Sequence, residues 1–266
     1  MTRHNPFLDR IRAGEPTLMM GIRSSRTADV LRIAQSTGHH SVMIDLEHSV
    51  MPLEVAAQLC ATAGDLGLTP FVRVPERSYG VIGPLLDCGA VGIVAPRIET
   101  AEEAMTISGA CRFPPHGQRS QLAMVPQLGM RPTPARELNP ALDDATIVKV
   151  LLETPKGIAN ADEIARVDGV DILAIGANDL TAELGVPGQY AHPSVREAVA
   201  AVGEACARND RLLMVGGIAD LALLGSLIPL GVCSLYLTGT DSDLLYAAAQ
   251  TRAERFGALR ERNGSA

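Results

Sequence analysis

Short apolar runs recur along the chain: TLMMGI from residue 17, HSVMID from 40, TPFVRV from 69, VGIVAP from 91, TIVKVLLE from 146, VDILAIG from 170, RLLMVGG from 211 and CSLYLTG from 233. Near-continuous apolarity, rather than alternation, predicts strands buried on both faces. Helix-length amphipathic segments rich in Ala and Leu lie between them. Thr100-Ala-Glu-Glu reads as a capped helix start, Pro155 stands near the head of another helix, and Gly67, Gly89 and Gly231 close others. Eight such strand-helix alternations in 266 residues predict an α/β fold, a parallel (β/α)8 barrel forming a single domain over 1–266. A doubly wound open sheet is the alternative. Residues 113–145 break the rhythm as a loop-rich insertion after the fourth unit, and long ordered loops tend to cover sites.

Residues 212–239 carry only Asp220 as a charge and are long enough to cross a bilayer. Gly216, Gly217, Pro229 and Gly231 divide them into strand, helix and strand lengths, so they read as core and no membrane partner is expected. A formal net charge of −7 and 3% aromatic residues leave neither a basic surface nor stacking platforms, which argues against nucleic acid. Five scattered cysteines without a CxxC pair read as reduced thiols in a cytoplasm, and the N-terminal stretch has no apolar core of a signal peptide.

In a barrel of this kind chemistry gathers where the strands end. The second strand delivers Asp45, Glu47 and His48, the third Arg73, the fifth Glu153, and the sixth Asp179 just beyond Gly176. A single acid at a strand end is commonly a helix cap or a solvated rim residue. Here several acids share one predicted rim with an arginine and a histidine.

The set IDLEH, VRVP, LLDCGAVGIVAP, FPPHGQR, LLETPKG and IGANDLTAELG resembles the metal-dependent class II pyruvate aldolases of the HpcH/HpaI family, over roughly residues 5 to 257. The resemblance implies a (β/α)8 barrel and cleavage of 2-keto-4-hydroxy acids to pyruvate and an aldehyde. It places Glu153 and Asp179 on the ligands of a divalent metal (Mg²⁺, Mn²⁺ or Co²⁺). It also places His48 on the catalytic histidine, Asp87 on the carboxylate beside it, and Arg73 on the arginine at the ketoacid oxygens. Two carboxylates with open positions left for water and substrate suit a hard octahedral ion. The backbone N–H groups of Asn178 and Asp179 would meet the pyruvate carboxylate, while Asp45 and Glu47 would fix the loop that carries His48. The family's hexamers, trimers of dimers that exchange a C-terminal helix, imply that DSDLLYAAAQTRAERFGALRE docks on a neighbour.

Departures from the family pattern bear on substrate. Leu151 stands where a substrate-reaching Gln is usual, and Arg23 stands where an uncharged residue is expected and could bind an acidic tail. Arg119 is followed by Ser120 where Gly is usual, and reads as structural. Of the two lysines, Lys149 should point into the barrel about 13 Å below the rim at ~3.3 Å per residue, paired with an inward carboxylate, while Lys156 should face solvent. Neither is then placed for a Schiff base. The alternatives are a CoA-ester lyase or oxaloacetate decarboxylase of the wider superfamily, a phosphate-binding barrel using Gly216, Gly217 and Gly239, and a barrel that binds a ketoacid without turning it over.

Overall fold

The structure is a computed structural model that describes residues 5–263. Its strands are β1 (Thr17–Ile22), β2 (Ser41–Asp45), β3 (Thr69–Arg73), β4 (Gly92–Ala95), β5 (Ile147–Leu152), β6 (Ile172–Gly176), β7 (Leu212–Gly216) and β8 (Leu235–Thr240). The helices are α1 (Pro6–Arg12), α2 (Asp29–Ser36), α3 (Leu53–Asp65), α4 (Ile82–Asp87), α5 (Ala101–Cys111), α6 (Ala135–Ala145), α7 (Pro155–Ala159) and α8 (Ala161–Ala165). They continue with α9 (Ala177–Glu183), α10 (Pro193–Arg208), α11 (Leu221–Leu227) and α12 (Asp241–Asn263). Every predicted strand is present. All pairs are parallel, in the order β7-β6-β5-β4-β3-β2-β1-β8. A single bridge from Leu213 to Val232 brings the two edges together, so the sheet is a nearly closed (β/α)8 barrel rather than an open doubly wound one.

The start and stop signals act as read. The Thr100 hydroxyl accepts from Glu103 N–H while the Glu103 carboxylate reaches back to the Thr100 N–H, and Pro155 opens α7. Gly67, Gly89 and Gly231 all have positive φ, the backbone that glycine adopts without a Cβ penalty. One apolar layer lies between strands and helices; side chains such as Ile44, Leu86 and Ile93 are fully enclosed there, each stabilising the fold by roughly 1.5–3 kcal/mol. A second cluster, including Met19, Met43, Phe71, Val94, Leu151 and Met214, fills the barrel itself.

Helix α1 plugs the face at which the strands begin. Phe7, Leu8 and Ile11 join the interior cluster, with the Phe7 and Phe71 rings 5.3 Å apart. Gly92 makes room for this packing, because a Cβ there would lie 2.0 Å from Phe71 Cδ1. The insertion lies at the same face. Helix α5 descends from the strand-end rim and β5 starts from the opposite end, so the chain between them cannot cover the rim. Within one chain this runs against the expectation that the insertion covers a site. It carries α6 and a small core of Phe113, Val125, Leu138 and Leu142, and Gln127 ties it to the carbonyls of Leu86 and Ala90.

Residues 212–239 form β7, α11, a 3-10 turn and β8, and among the described residues no helix is long and apolar enough to cross a membrane. All five cysteines are free; Cys60, Cys111 and Cys206 are buried, Cys233 is half-buried and Cys88 is exposed. Burial pushes the Cys60 and Cys206 thiols up to about 12, which makes them packing groups rather than nucleophiles.

Candidate active site

At the strand-end rim a cavity of about 390 Å³ is lined by Arg23, Asp45, His48, Arg73, Glu153, Asn178 and Asp179, with Met43, Leu151, Ala174 and Met214 among the apolar groups below. The strands explain the convergence. Asp45 and Arg73 are register partners at the ends of the adjacent parallel strands β2 and β3, so their side chains meet in one layer. Asp45 Oδ1 accepts from Arg73 Nε at 3.0 Å and Oδ2 from Arg73 Nη2 at 2.6 Å, a bidentate pair that fixes the guanidinium plane. Asp45 Oδ1 also accepts from the N–H groups of Glu47 and His48, shaping the loop as expected. Burial opposes ionisation of Asp45, but these bonds outweigh it and hold its carboxyl below the usual value.

Glu47 is the carboxylate that faces the His48 imidazole among the described residues. Its Oε2 lies 3.7 Å from His48 Nε2 and 3.1 Å from Arg73 Nη1, and is buried with no hydrogen bond in line. Burial raises the Glu47 carboxyl above its ordinary value, with Arg73 and His48 opposing the shift. Half the His48 side chain is exposed, facing the cavity mouth. Asp87, expected beside His48, is not there within the chain. Helix α4 runs down from the rim, so its last residue lands at the opposite face, where Asp87 accepts from Arg119 Nη2 at 2.9 Å. The Arg119 guanidinium stacks 4.6 Å over Phe113, the structural role read for it.

Glu153 follows the last residue of β5 and is 3% exposed. Its Oε2 accepts from the N–H of Arg97 at 2.9 Å, while Oε1 accepts no hydrogen bond among the described residues. Burial pushes the Glu153 carboxyl up to about 7; the Arg97 N–H opposes this, and the nearby Glu47 and Asp179 charges add to it. Asp179, in the first turn of α9, is exposed to the same cavity and makes no hydrogen bond or ion pair among the described residues. The N terminus of α9 has no side-chain cap, and the Asn178 side chain is held by Tyr190, whose hydroxyl donates to Asn178 Oδ1 at 2.5 Å. Arg97 and Tyr190 escaped sequence reasoning. Arg97 acts through its backbone N–H, at φ 50, and Tyr190 through a loop contact, so neither side chain carried a signal.

Gly176 is the cradle for Glu153: a Cβ there would lie 2.4 Å from Glu153 Oε1 and 2.8 Å from its Cγ. Gly176→Ala should displace that carboxylate from the Arg97 N–H and weaken Mn²⁺ binding by roughly 10- to 100-fold at unchanged circular dichroism. Titration calorimetry reads this, and undiminished affinity would show that Glu153 tolerates the shift.

Lys149 corrects an expectation. It is 1% exposed and points inward as predicted, but among the described residues no carboxylate pairs with it. Its Nζ lies 3.6 Å from Met214 Sδ, 3.9 Å from Met19 Sδ and 5.4 Å from the Phe71 ring centre. Burial brings its amine down to about 7, with Arg73 adding to the shift, so the neutral form is accessible near neutrality. Lys156 faces solvent and pairs with Glu99 at 3.1 Å.

The family model for the HpcH/HpaI aldolase/citrate lyase domain matches residues 19–219. A 4-hydroxy-4-methyl-2-oxoglutarate aldolase from Hapsidospora irregularis is 37% identical over 216 residues, covering 80% of each chain. A 2-keto-3-deoxy-L-rhamnonate aldolase from Escherichia coli K12 is 32% identical over 195 residues, covering 73% of this chain and 72% of that one. Among solved structures, an HpcH/HpaI aldolase from Desulfitobacterium hafniense DCB-2 superposes with a TM-score of 0.85 at 25% identity, over 92% of this chain and 95% of that one. The chain, with its barrel and its rim of converging acids, belongs to the HpcH/HpaI aldolase/citrate lyase family.

Proposed function

We propose that the protein is a divalent-metal-dependent aldolase that splits 2-keto-4-hydroxy acids into pyruvate, or a related 2-ketoacid, and a carbonyl acceptor. The observation that carries this reading is the pair Glu153 and Asp179, two carboxylates without an ion-pair partner among the described residues that open into the cavity holding Arg73 and His48. The donor set fits a hard divalent ion: all oxygen, with a free Glu153 Oε1 and an unbonded Asp179. Glu153 and Asp179 would hold Mg²⁺, Mn²⁺ or Co²⁺, which supplies Lewis acidity to the ketoacid when bound.

The chain's own groups account for the remaining chemistry. Arg73, locked by Asp45, presents a permanent positive charge where the ketoacid oxygen gains negative charge. His48 takes the proton of the C4 hydroxyl, so that oxygen forms the new carbonyl while the C3–C4 pair moves into the C2–C3 bond. Return of a proton to C3 completes pyruvate. The N–H groups of Asn178 and Asp179 face the ketoacid carboxylate, and Gly176 keeps the approach open. Leu151 forms an apolar floor where a polar contact is usual, so selectivity rests on the rim.

Within one chain Glu47 faces His48, and Asp87 could serve a histidine only across a subunit boundary. Helix α12 favours such an assembly: from Asp243 to Phe256 most side chains are exposed, with Leu245, Tyr246 and Phe256 each about 70% exposed. We read the protein as a single-domain cytoplasmic enzyme that assembles through α12 into a homo-oligomer, a hexamer by the family pattern.

Chelator should abolish pyruvate release from 4-hydroxy-2-oxoglutarate, and Mg²⁺, Mn²⁺ or Co²⁺ should restore it. Borohydride with pyruvate should leave the mass of the protein unchanged. Activity that survives chelator together with a pyruvyl adduct on Lys149 would replace this mechanism with a Schiff base.

A further inference from the structure

Arg23 is a cation in the cavity that the reaction chemistry does not use. Its guanidinium makes no ion pair and no hydrogen bond among the described residues, although the side chain is half-buried in the cavity wall. Arg73, by contrast, is committed to Asp45 and Glu47. The backbone beneath Arg23 is built to stay in place. Asp241, the first residue of α12, accepts from the N–H groups of Arg23 at 3.0 Å, Ser24 and Ser25, and Arg26 Nη1 donates to the Arg23 carbonyl at 3.0 Å. Asp243, which also lines the cavity, spends its Oδ2 on the N–H and hydroxyl of Thr240 and does not reach Arg23.

Position in the barrel then gives the charge a purpose. Arg23 follows β1, four strands from β5 and so across the mouth from Glu153, while His48 follows β2, next to β1. A ketoacid with its head at Glu153, Asp179 and Arg73 and its C4 hydroxyl at His48 directs its far end toward Arg23.

We propose that Arg23 is the receptor for a second carboxylate, so that the substrates are 4-hydroxy-2-oxo diacids and the released acceptor is itself an oxoacid. This rests on the aldolase reading for the placement of the ketoacid head. A guanidinium half-buried in the wall and without a partner among the described residues binds a carboxylate through paired charge-assisted bonds, whereas a neutral tail leaves that cation unpaired.

The test compares two five-carbon ligands that differ only at the far end, 2-oxoglutarate and 2-oxopentanoate, by calorimetry on the Mn²⁺-loaded protein. The parent should prefer the diacid by roughly 10- to 100-fold, Arg23→Gln should lose most of that ratio, and Arg23→Lys should recover part of it. Equal affinity of the parent for both ligands, or a preference that survives Arg23→Gln, would overturn the assignment. Pyruvate release from 4-hydroxy-2-oxoglutarate is scored separately. A parent with Arg23-dependent diacid preference but no pyruvate release refutes the aldolase reading and leaves the carboxylate receptor standing.

Discussion

Glu153→Gln and Asp179→Asn should each lower Mn²⁺ affinity by at least about 100-fold and reduce pyruvate release to background, with the barrel intact. The effect is large because each substitution removes one of the two carboxylates proposed to hold the ion. Stability should not suffer from the first substitution. The native carboxylate is buried beside Glu47 and Asp179, and burial has already pushed it up to about 7, so a neutral amide of the same shape removes an unfavourable charge. The amide can still accept the Arg97 N–H. Calorimetry separates metal loss from misfolding, and either variant binding Mn²⁺ like the parent would move the metal site elsewhere.

His48→Ala should lose roughly 10²- to 10⁴-fold in kcat, the range for a positioned acid-base group, while Mn²⁺ and pyruvate bind as before. Removal of the imidazole leaves the rim otherwise unchanged, because Asp45 holds the loop through backbone N–H groups that alanine also provides. A variant with parental kcat would reduce His48 to an exposed rim residue. Exchange of the C3 protons of pyruvate offers an independent readout. It needs no C4 hydroxyl, so it should fall much less than cleavage does.

The strands were legible in the sequence because burial on both faces makes them continuous apolar runs, and a polar residue at the end of such a run marks the rim. Asp45, Arg73, Glu153 and Asp179 were found by that rule, and they share one cavity. Less was legible where the direction of the chain had to be followed within one subunit. Asp87 ends a helix that descends from β3, and the insertion follows a helix that descends from β4, so both belong to the face where strands begin. Lys149 failed for a different reason. Strand parity placed its side chain inside correctly, but the layer it enters offers Met19, Met214 and Phe71, and no run of sequence reveals the chemistry of a layer assembled from three distant strands. Arg97 was invisible because its contribution is an N–H group.

Anomalous diffraction from a crystal soaked with Mn²⁺ and pyruvate tests the metal site most directly. The expected map has a manganese peak at the Glu153 and Asp179 carboxylates, with pyruvate in the cavity that Arg73 lines. A manganese peak away from both carboxylates, or pyruvate joined to Lys149 Nζ, would contradict the metal-dependent mechanism.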